Sequence, residues 1–324
     1  MPSPVFRAAP VRVRVPATSA NLGPGFDAFG LALGLYDDVV VRIADSGLKI
    51  DVAGEGADEV ARDERHLVVR AMRAAFDRLG GQPPGLELVC ANRIPHGRGL
   101  GSSAAAIAAG ITAARALAVS PTPLSDDDVL RLATELEGHP DNVAACLRGG
   151  FTIAWMDHTS EIDDLGVDIG TAAVLRLDPA PLLCAVAFIP PKPLSTEVAR
   201  GLLPRTVPHA DAARNAGRAA LLTAAVIQGR ADLLLAATQD RLHQSYRAPA
   251  MAESASLIAV LRAGGYAAVV SGAGPTVLVL TQSHLVDEVS AFGEAATGPQ
   301  WRAMPLTVDA AGAVVLGVSD GDPR

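Results

Sequence analysis

The residues best suited to chemistry lie in one run, IPHGRGLGSSAAA at 94–106. Gly97, Gly99 and Gly101 alternate with Arg98 and Leu100, and Ser102-Ser103 lead straight into alanines. Alanine and leucine have the best helix propensities, so a helix is expected over 102–117. Glycine accepts positive φ and lets main chain approach a ligand. The first turn of a helix adds unpaired N–H groups and the positive end of the dipole. Together these make a phosphate cradle at a helix N-terminus. A Gly-rich turn before a buried helix has the same spacing, so the rest of the chain must separate the two.

The flanking elements follow from periodicity. Residues 11–15 alternate apolar and charged, which predicts a strand that Pro16 ends. The stretch ATSANLGPGFDAFG at 17–30 is dense in turn formers and reads as loop, anchored by Phe26 and Phe29. Strands are expected at 39–43, 49–52 and 86–91. A helix at 64–79 carries Leu67, Ala71, Ala75 and Leu79 on one stripe, with Gly80-Gly81 as its stop.

Ser125 with Asp128 three residues on starts a helix that runs to 137 and breaks at Gly138. Asp126, Asp127 and Asp128 fall in its first turn, where the dipole favours acids without any metal. EGHPDNVAACLRGG at 137–150 reads as a loop carrying His139, Asp141 and Asn142, followed by a strand at 151–155. The polar, acidic stretch 157–170 leads into a second half with strands at 183–189, 267–270 and 276–280 and helices at 212–228 and 252–263. The irregular alternation predicts an α+β fold rather than a regular parallel array.

The chain has 324 residues, 49% of them hydrophobic, which is enough for two cored domains. A net charge of −8 argues against a nucleic-acid surface. Cys90, Cys146 and Cys184 stand alone in apolar contexts, as buried thiols in a reducing compartment do. The start of the chain lacks a signal-peptide core and no apolar run reaches membrane-spanning length, so the expected location is cytoplasmic. The histidines show no zinc-type pairing.

Two common phosphate binders are disfavoured. A P-loop needs a lysine after its last glycine, where this chain has Ser102-Ser103. A dinucleotide fingerprint needs a different glycine step near the start of a βαβ unit. What PHGRGLGSSAA at 95–105 resembles is the second motif of the GHMP kinases, named for galacto-, homoserine, mevalonate and phosphomevalonate kinases. VPATSANLGPGFD at 15–27 resembles the first motif in the form of the homoserine-phosphorylating branch, and EGHPDN at 137–142 points to the same branch. SGAGPT at 271–276 is similar to the third motif.

The resemblance implies two domains. Residues 1–165 would form an N-terminal, ATP-binding domain like ribosomal protein S5 domain 2, and residues 166–324 a ferredoxin-like C-terminal GHMP kinase domain. It implies transfer of a phosphoryl group from ATP to the hydroxyl of L-homoserine, giving O-phospho-L-homoserine on the route to threonine, with Mg²⁺ as cofactor. Pro95, His96, Gly97, Arg98, Gly99, Leu100, Gly101, Ser102, Ser103, Ala104 and Ala105 would then surround the triphosphate. Ser103 would hold Mg²⁺ with a carboxylate. At about 100° per residue Glu137 falls at the edge of the buried arc of its helix while Glu135 points away, so Glu137 is the expected ligand.

The acceptor's ammonium needs an acid and its carboxylate a guanidinium fork. Asp27, which ends the first motif, is the natural acid, with Asn21 to hydrogen-bond the substrate; by the resemblance Arg200 and Arg247 fall at the family's arginine positions, and His139 is expected to touch the substrate. Asp141 and Asn142 complete the catalytic set with Ser103 and Glu137. The first motif has no lysine to hold Asp141 as a base, and the resemblance implies attack without a strong protein base, the proton passing to the phosphate. His66-Leu67 stands where the family has an Asn-Leu pair beside adenine, though His66 could simply cap its helix. His96 reads as solvent-facing.

Relatives are commonly dimers, and the apolar strands permit a homodimer. Three other readings stay open. One is a kinase of the same family for another small alcohol (mevalonate, an isoprenoid precursor or shikimate). The others are a non-catalytic ligand-binding protein of this fold, and an NAD-dependent oxidoreductase, which the glycine spacing disfavours.

Overall fold

The computed structural model describes residues 5–119, 123–157 and 170–317. The first part runs β1 (Val5–Phe6), β2 (Val11–Asn21), β3 (Gly25–Ala44), β4 (Gly47–Gly54), α1 (Leu67–Arg78), β5 (Gly85–Asn92), α2 (Ser102–Leu117), β6 (Ala118–Val119), α3 (Asp126–Glu137), α4 (Pro140–Arg148) and β7 (Phe151–Asp157). There follow β8 (Thr171–Leu177), β9 (Leu183–Ile189), α5 (Thr196–Gly201), α6 (His209–Gln228), α7 (Ala231–Ala237) and α8 (Gln244–Arg247). The last described elements are α9 (Ala252–Ala263), β10 (Ala267–Val270), β11 (Val277–Gln282), α10 (Val286–Ala296), β12 (Arg302–Thr307) and β13 (Val314–Leu316).

Two main sheets organise these elements into an α+β fold. The larger has the order β13-β2-β3-β5-β4, with β7 also pairing β3 and β8 pairing β7. The smaller has the order β10-β11-β9-β12, all antiparallel. Its strands and intervening helices follow the βαββαβ plan of ferredoxin-like folds. The expected division at 165/166 lies outside the described residues; beyond it, Thr171–Leu177 and Val314–Leu316 pair into the larger sheet.

Alanine content explains the central helix. Ala104, Ala105, Ile107, Ala108, Ala109, Ile111, Ala113 and Ala114 are all buried, so α2 is apolar around most of its circumference, as a core helix is. Gly110 lets it approach α1 closely, since a Cβ there would lie 2.5 Å from the Val68 carbonyl oxygen. In the second half Val186, Phe188, Leu257, Leu261, Val277, Val279 and Val289 form a separate core between the sheet and α9 and α10.

Two expectations fail. Residues 17–30 are not loop: β2 continues to Asn21 and β3 starts at Gly25. Turn-forming side chains there serve a tight hairpin with register shifts at Pro16/Ala17 and Ala20/Asn21. Asn21, Leu22 and Asp27 take positive φ (68°, 47° and 55°), so the small polar residues signal local left-handed backbone within a strand pair. The segment carrying Asp141 and Asn142 is likewise not loop but the first turn of α4, with Pro140 as its first residue.

Candidate active site

The glycine run is held from both sides. Gly97, Gly99 and Gly101 have φ of 63°, 74° and 72°, and Gly101 caps α2. Consecutive amides in such a run form an anion-binding concavity ahead of the helix dipole. Thr18 donates its N–H to the Leu100 carbonyl (3.0 Å), Thr276 donates to that of Arg98 (3.2 Å), and the Ser271 hydroxyl donates to that of Gly99 (2.6 Å). A Cβ on Gly101 would meet Thr18 Oγ1 at 1.9 Å, and one on Gly99 would meet the Ser271 carbonyl oxygen at 2.3 Å. The three sequence motifs are thus one assembly. Leu100, Ala104 and Ala105 are fully buried.

Two cavities meet at this run, sharing Ser102 and Ser103. The first, of about 310 Å³, is largely apolar, walled by Val15, Val39, Val60, Val68, Ala105 and Ala109. Its polar lining includes Asp37, His66, Asn92 and His96, so His96 faces a cavity and not open solvent. His66 makes no side-chain cap to α1; it is 6% exposed and its Nδ1 has no hydrogen-bond partner. Burial, with His96 nearby, pushes the His66 pKa down and keeps the ring neutral.

The second cavity, of about 160 Å³, collects Asn21, Glu137, His139, Asp141, Asn142, Arg200 and Arg247. These come from β2, α3, α4, α5, α8 and the turn before α4. Ser103 Oγ donates to Glu137 Oε2 at 2.7 Å, while Glu135 turns out to Arg78. The helical arc therefore separates the two glutamates as expected. Burial raises the Glu137 carboxyl pKa, against the Ser103 hydrogen bond and His139. His139 Nδ1 lies 3.0 Å from Asp141 Oδ1, and that partner raises the imidazole pKa despite burial. Asp141 is 2% exposed, and the same oxygen accepts the Asn142 N–H; Asn142 Oδ1 accepts the Thr18 hydroxyl at 2.8 Å.

The charged side chains gather around Phe26. Arg200 pairs with both carboxylate oxygens of Asp27, at 2.8 and 3.2 Å. The guanidinium carbons of Arg200 and Arg247 lie 6.0 and 5.4 Å from the Phe26 ring centre, and His243 stacks on that ring. Arg247 is buried and donates to His243 Nδ1 and to the Gly272 carbonyl, while its Nε has no partner. His243 Nε2 then donates to the Gly23 carbonyl, which fixes the neutral tautomer that burial favours. Burial, with Arg200 next, lowers the Arg247 pKa. Asn21 sits at the cavity edge with its side chain engaged: Nδ2 donates to the Gly272 carbonyl and Oδ1 accepts the Asp27 N–H.

Several lining residues had no sequence signal of their own. Leu194 and Thr196 enter because the strand-to-helix connection before α5 crosses the glycine run, where Leu194 donates its N–H to the Gly97 carbonyl. Among the described residues, no group of three or more His, Cys, Asp or Glu side chains is arranged to hold a metal ion. No described helix is long and apolar enough to cross a membrane.

Comparison with known proteins identifies the family. Residues 66–150 match the GHMP kinases N terminal domain and residues 221–296 the GHMP kinases C terminal model. A homoserine kinase of Streptomyces coelicolor is 61% identical over 317 residues, 98% of this chain and 97% of its own. One of Clavibacter michiganensis is 52% identical, covering 96% and 95%. The crystal structure of homoserine kinase from Cytophaga hutchinsonii superposes with a TM-score of 0.81 at 25% identity, covering 96% of this chain and 99% of that one. The fold is that of a GHMP kinase, and within that superfamily the chain belongs to the homoserine kinases.

Proposed function

We propose that the chain phosphorylates the side-chain hydroxyl of L-homoserine with ATP, and that the two joined cavities divide the substrates between them. The observation that carries this reading is the meeting of an apolar cavity and a charged one at Ser102-Ser103. A purine fits the first, with the unpartnered His66 Nδ1 available to a base edge. The triphosphate lies on the amides from Gly97 to Ser103. Homoserine takes the second cavity.

Acceptor recognition works by exchange. The Asp27–Arg200 pair is about one-third exposed on each side chain, and such pairs are worth only about 0.2–1 kcal/mol. A zwitterion can replace both partners at once, its ammonium on Asp27 and its carboxylate on Arg200. The buried Arg247, with its Nε unpaired, holds the other carboxylate oxygen. Mevalonate has a carboxylate but no ammonium, and it would leave Asp27 without its counter-charge.

Ser103 and Glu137 fit a Mg²⁺ ion, for they offer two hard oxygen donors side by side, one a carboxylate whose charge burial leaves under-compensated. When bound, Mg²⁺ supplies charge neutralisation at the transferring phosphoryl group. Asp141 serves to orient His139, since its Oδ1 is occupied and the group is buried. The acceptor hydroxyl oxygen attacks the γ-phosphorus, the bond to the ADP oxygen breaks, and the hydroxyl proton leaves on the transferred phosphoryl group. Purified protein with Mg·ATP and a panel of homoserine, threonine, serine, mevalonate and shikimate tests the reading by ADP release. Homoserine is expected to give the highest kcat/KM by far; a preference for mevalonate or shikimate overturns it.

A further inference from the structure

Arg98 stands inside the glycine run yet its guanidinium is spent elsewhere. Nη2 donates to the Pro191 carbonyl at 2.5 Å, Nη1 to the His96 carbonyl at 2.7 Å, and Nε lies 3.4 Å from the Pro190 carbonyl oxygen. Among the described residues no carboxylate pairs with it. Pro190 and Pro191 follow directly on β9, and the connection they open runs through Pro193 and Leu194 into α5, which carries Thr196 and Arg200. Leu194 supplies the second crossing through its N–H to the Gly97 carbonyl (2.9 Å), and a Cβ on Gly97 would touch Pro193 at 3.1 Å. Three prolines in four residues leave this arm few conformations of its own, so its position is set at the points where it is gripped.

We propose that Arg98 is a positioning residue that clamps the acceptor arm to the phosphate loop, so that nucleotide and homoserine sites are energetically coupled. The planar guanidinium spans carbonyls of both partners, which a point charge on a flexible stem does not do. Anything that orders the glycine run thereby orders Arg200, and the acceptor's carboxylate reaches back through the arm to the loop. The coupling is reciprocal by thermodynamic necessity. The inference rests on the acceptor assignment made above for Asp27 and Arg200.

The test compares Arg98→Gln, Arg98→Lys and Leu194→Pro, the last removing the second crossing. KM for homoserine and for ATP is read alongside calorimetric affinity for homoserine with and without ADP, with thermal melting as the folding control. Both Arg98 variants are expected to raise the homoserine KM by roughly tenfold or more, the scale of a lost charged hydrogen bond. ADP should no longer strengthen homoserine binding in them, and Leu194→Pro should move the same quantities in the same direction. Retention of wild-type values in Arg98→Lys, with Arg98→Gln defective in ATP KM alone, overturns the clamp and leaves a role of charge only. Asp27→Ala, run in parallel, separates the layers. If it leaves the homoserine KM unchanged the acceptor reading fails, and the clamp with it; if it raises that KM while the Arg98 variants do not, the clamp alone fails.

Discussion

In the proposed reading the two sides of the site recognise their ligands by different means. The phosphate side is a short contiguous run whose contribution is main chain, shaped by three left-handed glycines and locked by Thr18, Ser271 and Thr276. The acceptor side is made of side chains delivered by β3, α5, α8 and the turn before α4; Arg200 pairs with Asp27, and Arg247 rests on the neutral His243. Backbone amides fixed by packing favour any phosphate and cost little to order. Ion pairs that must be exchanged for substrate groups discriminate among acceptors. General affinity for the nucleotide therefore belongs to geometry, and selectivity for the acceptor belongs to charge placement.

Substitutions can break that contrast, beginning with the group at the junction. Glu137→Gln is expected to lower kcat by about a thousandfold, measured as ADP release at saturating substrates, because it removes charge where the phosphoryl group moves. In the metal-free protein burial lifts the Glu137 pKa, so Mg²⁺ has to displace a proton there; Mg²⁺ affinity should weaken at acid pH, and that dependence should vanish in the variant. Gly101→Ala attacks the main-chain side alone. Its Cβ collides with Thr18 Oγ1 and its φ of 72° is strained for alanine, about 1–3 kcal/mol of backbone strain, so melting temperature falls and the ATP KM rises by roughly a hundredfold.

Asp27→Ala attacks the side-chain side alone. The homoserine KM should rise by about thirtyfold with the ATP KM within about twofold, and equal effects on both would favour a different acceptor. Asp141→Asn should be mildest, leaving measurable activity, down by about tenfold or less, because it disturbs the orientation of His139 and removes no base. A loss as deep as that of Glu137→Gln would make Asp141 a true base. The His139 pKa, followed by NMR, should fall in this variant. In the wild type it is raised by Asp141, so the pair's stabilisation is complete below about pH 6.5 and is lost as pH climbs through the raised value.

Sequence was most informative where one physical rule acts along a short segment. The alanine-rich helix is found at 102–117 as expected, Ser125 and Asp128 make a reciprocal capping box, and the helical arc distinguishes Glu137 from Glu135. It was least informative where long-range pairing overrides local composition. Residues 17–30 look like loop because Gly, Pro and Asn crowd them, yet the β2–β3 hairpin pairs them as strands, and β7, more than a hundred residues away, adds a partner at Phe29–Leu31. Residues 137–150 read as loop, yet Pro140 is the first residue of a helix. His96 sits in a run that looks solvated, and only the fold turns it towards His66. Arg98 carries no local sign of its destination, because two of its acceptors are the carbonyls of Pro190 and Pro191, far along the chain in a segment recognisable only by its prolines.

One pairing bears on how the molecule comes together in time. Val314–Leu316 closes the larger sheet against β2, whose far end carries the first motif, and Asp309 accepts hydrogen bonds from Tyr36, Ala311 and Gly312 beside it. A nascent chain that has released only its first half still lacks the outermost neighbour of β2. Contacts of such sequence separation form late and make folding slow. The strand that leads into the first motif is thus flanked by a segment far along the chain, so the larger sheet is completed only after most of the molecule has been made.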